Sequence, residues 1–582
     1  MTPRDEHGDN RADAPDTGIT AAAARTIDEI SDDYVERFAA LHPVEATIDG
    51  VGGHDAELTD YSPEGALRRA DLARVFLGEL GAVQPSSDRD RRAVRVLRER
   101  LDVALALFDA GEHLRDVSNL SNPLNMVRMC FDLMPAGDDK DWSVVADRME
   151  KVPASLGTYR QALAAGIAAG MPGSQRLALV AAGQAQDWAG TDGAPGYFTA
   201  LAARADDVAP ELSARLTTAA QAASAALVEI SRYLREEYAP RASDVIGVGA
   251  DRYALHARYW TGDEVDLDET YTWGWAELAR LLGRMEQVAE QILPGRSLRD
   301  VVEHVKADPA YVLDSAEALR EWLQTLMDTT VEQLDGVHFD IPPQIRRVEA
   351  VIAPPGGAAA MYYTPPSEDF TRPGRTWYPT QGRTSFPLWL EKAICYHEGV
   401  PGHHLEVGGA KARPSEMTRF QRLSFTSGYS EGWALYAERL MSELGYLDDP
   451  VFELGALATS AMRAARVVID IGLHLGLRIP DHPGWHAPWL QPGAPMTPEN
   501  ALEIAVNVAP FPREFMASEI DRYIGMPAQA ISYKVGERVW LSARDEAKAR
   551  HGAAFDLKEF HSYALGLGSV GLAQLRDELA AF

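Results

Sequence analysis

Apolar residues recur at three- and four-residue intervals through most of this chain, with alanine, leucine, arginine and glutamate common among them. That period gathers the apolar side chains on one helical face and predicts helices over 22–41, 63–82, 88–112, 142–168 and 207–239. The same pattern predicts helices over 268–291, 314–333, 386–400, 431–444, 452–477 and 528–550. Breaks rich in proline, glycine or polar residues, such as 187–196 and 478–497, separate them. Three short stretches, 347–352, 359–364 and 376–380, are instead β-prone and bounded by proline and glycine. They predict a small sheet immediately before the helix at 386–400. The expected fold class is mainly α with a minor β element. Residues 1–20 read as a polar, disordered leader, and 21–582 as a single helical unit of two lobes.

Composition narrows the function. At 582 residues and 46% hydrophobic content the chain can bury a large core. Its net charge of −30 disfavours nucleic acid and anionic membrane surfaces, both of which attract basic patches. Two cysteines, Cys130 and Cys395, are too few for a disulfide framework or a cysteine-rich metal site. No apolar run is long enough to span a bilayer and no signal-peptide pattern opens the chain, so the expected address is the cytoplasm.

The chemistry concentrates in Tyr396-His-Glu-Gly-Val-Pro-Gly-His-His-Leu-Glu406. Imidazole is a common zinc ligand, and a neighbouring glutamate can serve as general base. The stretch resembles the His-Glu-x-x-His pattern of zinc peptidases, with His397 and Glu398 in place but Pro401-Gly402 inserted before the next histidines. Regular helix would set His397 about 10 Å along the axis from His403 or His404, too far to share an ion. Pro401 removes a backbone donor and Gly402 accepts unusual dihedrals, so a wide turn at this point can fold the second imidazole back.

A third ligand is expected from Ser427-Gly-Tyr-Ser-Glu-Gly-Trp-Ala-Leu-Tyr-Ala-Glu438. Glu431 and Glu438, seven apart, share a helical face; Glu431 is assigned as ligand and Glu438 as support for a histidine N–H. The same segment contains Gly428-Tyr-Ser-Glu-Gly432, the Gly-x-Ser-x-Gly pattern of a nucleophile elbow, so a serine hydrolase using Ser430 is the alternative. A non-catalytic helical scaffold is a further one.

Scattered pieces extend the picture: His42-Pro-Val-Glu-Ala-Thr-Ile-Asp-Gly50, Leu58-Thr-Asp-Tyr61, Tyr362-Tyr-Thr-Pro-Pro366, Arg372-Pro-Gly374 and Asp521-Arg-Tyr523 through Tyr533. Together with the two motifs above they resemble the bacterial family known as domain of unknown function 885, commonly described as zinc metallopeptidases. The resemblance favours His403 over His404 as second ligand, leaving His404 beside the site. It implies a two-lobed helical peptidase-like fold with a deep channel, one zinc per chain, and hydrolysis of peptides or small amides. A His₂Glu set also suits manganese, iron or cobalt. Within that scheme Glu398 is the base, and Tyr533 and Tyr523 are candidate oxyanion donors, with helix anchoring by their hydroxyls as the competing role. Arg522 and Arg372 are candidates to hold a substrate carboxylate, Arg522 also reading as a structural ion pair. Tyr362 and Tyr363 lie where an extended peptide could pair by β-augmentation. His42, His54, His474, His482 and His486 read as surface or satisfied core residues.

Overall fold

A computed structural model describes residues 25–191, 194–353, 360–481, 485 and 487–582. The expected leader at 1–20, residue 359 at the start of the second expected strand, and His482 and His486 lie outside these residues. Helix accounts for 66% and strand for 5%, which fixes the class as mainly α. No helix among the described residues is long and apolar enough to cross a membrane.

Helix boundaries follow local chemistry. The long helix Pro450–Leu475 starts where Asp449 caps the Val451 amide and Pro450 fills the first turn, and it stops at Gly476 in the left-handed region. The run expected at 142–168 is two helices, Asp139–Met149 and Val152–Ala168, because the chain turns at Glu150 and Lys151 ahead of Pro153. Periodicity passed over the helices Pro123–Asp132, Gln175–Ala189, Pro498–Val508 and Arg513–Gly525, whose mixed faces blur the repeat; the first and third also begin at proline.

The apolar side chains gather into several cores. Ile27–Leu41, Pro63–Leu80 and Asp88–Asp109 enclose one. The largest joins helices between Pro123 and Arg232 to Leu267–Ile292, Pro450–Leu475 and Arg513–Gly525. A third lies between Ser427–Glu443 and Ser532–His551, where Tyr429, Trp433, Tyr436 and Trp540 interlock, with Trp433 and Trp540 ring centroids 5.0 Å apart. The sheet covers a fourth with helix Ala316–Leu334. Trp389, Cys395 and Tyr396, within eight residues, each feed a different one of these cores. The His397-Glu398 motif therefore begins at their junction.

The sheet has three strands in the order Val348–Ile352, Gly374–Tyr378, Tyr362–Thr364. The first pair is parallel, Val348 opposite Gly374; the second is antiparallel, Tyr362 opposite Trp377. Tyr362–Thr364 is thus an edge strand, and it faces the motif.

Helices Ser427–Glu443 and Ser532–His551 cross at glycine. A Cβ on Gly536 would lie 2.0 Å from the Gly428 carbonyl oxygen and 2.7 Å from Gly432 Cα. Alanine in a helix interior ordinarily stabilises by about 1 kcal/mol over glycine. Here overpacking, at about 1–3 kcal/mol or more, wins. Gly536→Ala is expected to lower the unfolding midpoint in denaturant; an unchanged or raised midpoint would contradict this crossing.

Candidate metal centre

Helix Glu391–Glu398 carries His397 and Glu398 on its last turn and ends at Gly399. A cis Val400–Pro401 bond follows, and the Gly402 amide donates to the Tyr396 carbonyl at 3.0 Å. Gly402 packs so tightly that a Cβ would sit 1.9 Å from the His397 carbonyl oxygen. Helix resumes at His403 with a wide π turn, the His404 amide reaching back to the Gly399 carbonyl at 3.0 Å. This folded segment brings the His403 ring to 4.8 Å from that of His397, at 86° between planes.

Glu431 arrives from helix Ser427–Glu443, which is tied to the fold-back by a Trp433 indole N–H donating to the Pro401 carbonyl at 2.8 Å. Glu431 Oε2 lies 3.3 Å from His397 Nε2 and 3.4 Å from His403 Nε2, and the three atoms fall within 4.8 Å of one another. The two carboxylate–imidazole separations match the edge of a tetrahedron whose metal–ligand bonds are about 2.0–2.1 Å. Oε2 has no hydrogen-bond partner although it is buried. Burial would raise the Glu431 pKa, but His403 and His397 hold it well below the ordinary carboxylate range. Burial likewise lowers His403, and Glu431 overrides it, to about 9. A buried carboxylate oxygen facing two imidazoles without hydrogen-bond geometry suits a shared cation, which would displace the histidine proton.

The surroundings orient the ligands. His397 Nδ1–H donates to Glu438 Oε1 at 2.8 Å, which leaves the Nε2 lone pair toward Glu431. Glu438 accepts from Thr459 at 3.2 Å and from Arg463 Nη2 at 3.2 Å. Burial acts to raise Glu438, and Arg463 with His397 keeps it lowered. Glu398 is 7% exposed beside these groups, and burial raises its pKa.

His404 turns elsewhere. Its Nε2 donates to the Ile345 carbonyl at 2.8 Å and its Nδ1 accepts from Tyr363 at 2.9 Å, so neither nitrogen is left for a metal or for His397. Burial lowers it to about 4, keeping it neutral. Tyr533 lies next to the centre, its ring 6.5 Å from that of His397 and nearly parallel to it. Tyr523 does not: its hydroxyl donates to Glu519 at 3.0 Å and accepts from Arg466 at 3.1 Å. Arg522 spends its donors on Glu519 and Gln529. Arg372 reaches the carbonyls of Thr47, Leu133 and Pro365 at 3.4–3.5 Å, stitching the loop after the edge strand to the N-terminal helices. Tyr362 stacks on Trp377 at 5.8 Å. The anchoring roles thus hold for Tyr523 and Arg522.

Ser430 is 0% exposed and sits inside helix Ser427–Glu443. The preceding apolar residues close a short helix, Arg419–Leu423, so the strand–turn–helix of a nucleophile elbow is absent at this position. Sequence reasoning passed over Thr459, Arg463, Arg466, Glu406 and Glu519. A usable signal was Arg463 and Arg466 within the otherwise apolar Ala461–Ile469, since a buried helix needs acids to receive such charges. Glu406, one turn after His403, is 3% exposed with Oε2 unpartnered, and burial lifts it to about 7.

The family profile described as "bacterial protein of unknown function (DUF885)" matches residues 43–579. Among solved structures, the chain is similar to a candidate lipoprotein from Colwellia psychrerythraea, with a TM-score of 0.81 at 22% identity, covering 96% of this chain and 99% of that one. It is also similar to a candidate lipoprotein of unknown function from Shewanella oneidensis, with a TM-score of 0.70 at 17% identity, covering 96% and 100%. At these identities the likeness speaks for the fold. No curated protein matches.

Replacing the two adjacent histidines separates their roles. His403→Ala is expected to abolish stoichiometric binding of zinc, measured by elemental analysis after dialysis. His404→Ala should keep the metal and lose about 2 kcal/mol of stability, because Tyr363 and the Ile345 carbonyl are left unpaired. The reverse pattern of metal loss would overturn the ligand set.

Proposed function

The chain belongs to the DUF885 family of bacterial proteins of unknown function, and we propose that it is a metal-dependent hydrolase cleaving amide bonds in small peptides. The observation that carries this reading is the unpartnered Glu431 Oε2 set between two imidazole nitrogens at 3.3 and 3.4 Å. Nitrogen and oxygen donors at tetrahedral spacing suit zinc, one per chain, with a fourth position for water or substrate. The two-lobed peptidase architecture with a channel is part of the proposal, supported by the helical fold and by the small sheet beside the ligands.

When bound, the cation would polarise a carbonyl and lower the pKa of water. Glu398, next to His397 and with its pKa raised by burial, accepts a proton from the attacking water. The water oxygen stays on the acyl carbon, the C–N bond breaks, and that proton passes to the departing nitrogen. Tyr533, beside His397, is the hydroxyl donor for the developing oxyanion. Backbone groups of the edge strand Tyr362–Thr364 offer an extended substrate a partner, with Tyr363 fixed by its bond to His404.

Purified protein is expected to carry about one zinc per chain and to lose hydrolysis of N-acyl dipeptides on chelation. Glu398→Gln should retain zinc while turnover falls about 10²–10⁴-fold. Undiminished activity in metal-free protein, or in Glu398→Gln, would contradict the proposal.

A further inference from the structure

Helix Pro450–Leu475 turns two arginines toward the centre from a surface otherwise built of residues such as Met462, Ala465 and Val468. Arg463 has its counter-charge in Glu438 at 3.2 Å. Arg466 does not have one to itself. It donates Nη2 to Glu519 at 2.7 Å, and Arg522 donates to both oxygens of that same carboxylate at 2.9 and 2.8 Å. Arg466, Arg522 and Glu519 are 6%, 7% and 5% exposed. Two guanidiniums on one carboxylate leave a positive charge in a place where an uncompensated charge is costly.

The geometry shows which guanidinium carries the surplus. Arg522 is saturated by Glu519 and Gln529. Arg466 gives Nε to Tyr523 and Nη2 to Glu519, and its Nη1 has no acceptor among the described residues. Its guanidinium carbon lies 4.7 Å from the Tyr533 ring centroid, and that ring lies 6.5 Å from His397. Asp470, four residues on, is turned to the Tyr253 hydroxyl at 2.7 Å and the Ala528 amide at 2.9 Å. Glu398 and Glu431 would offset a dication. The surplus charge therefore faces the reacting centre across Tyr533.

We propose that Arg466 anchors a free carboxylate of the substrate, so that the enzyme acts on peptides or N-acyl amino acids whose C-terminal carboxylate closely follows the scissile bond. This rests on the metal-hydrolase reading and assigns its substrate class. Arginine suits the task because its planar fork pairs with a carboxylate.

The test compares a panel of N-acyl dipeptides and N-acyl amino acids, each as free acid and as C-terminal amide, on the zinc-loaded protein. Free acids are expected to be preferred by about 100-fold in kcat/KM, the scale of a desolvated charge pair. Arg466→Met leaves Glu519 paired with Arg522, so melting temperature and zinc content should be maintained. It should erase the preference through KM on the acids, and Arg466→Lys should restore part of it. Equal rates on acids and amides in the unaltered protein, a comparison that needs no variant, would overturn the anchor and leave the hydrolase standing. Hydrolysis of no compound on the panel would bring down the hydrolase reading and the anchor with it.

Discussion

The carboxylate of Glu431 is buried against two imidazoles, and such a charge must be matched by a proton or a metal. The rest of the site follows from holding those three groups together. His397 and His403 come from one segment only because the chain leaves helix at Gly399 and re-enters it at His403. Glu431 comes from a second helix, fastened to that segment by Trp433 and pressed against Ser532–His551 at glycine. Each device holds these three groups rigidly, as the proposed metal site requires of its donors.

Matching one buried charge creates the need to match the next. Glu438 fixes the tautomer of His397, and its own charge is met by Arg463 and Thr459. Arg466, a turn away, meets Glu519, which Arg522 also claims. Burial raises Glu519 and the two guanidiniums pull it down to about 2, so it stays ionised. The chain of pairs ends one negative charge short, beside the centre. Elsewhere in the molecule exposed ion pairs contribute little; here the environment is dry, and loss of Arg463 would strand the buried Glu438 charge.

Much of this was legible in the sequence, for stated reasons. His397 and Glu431 stood out through residue type and spacing, Pro401-Gly402 signalled the turn that unites them, and the choice of His403 over His404 came from the family resemblance. The small sheet showed in its β-branched residues. Tyr523, Arg522, Arg372 and His404 could not be placed, because a side chain's direction is set by partners distant in sequence, such as Glu519, Leu133 and Ile345. Arg463 and Arg466 lay within a strongly periodic helix, and the apolar pattern masked them. Helices beginning at proline with mixed faces, such as Pro123–Asp132, escaped for the converse reason: their pattern was too short to register.

X-ray absorption at the zinc edge of the metal-loaded protein addresses the central claim most directly. Two imidazole nitrogens, one carboxylate oxygen and a light exchangeable ligand are expected, all at about 2.0–2.2 Å. A shell of oxygen alone, or a spectrum unchanged when Glu431 is replaced by alanine, would contradict it.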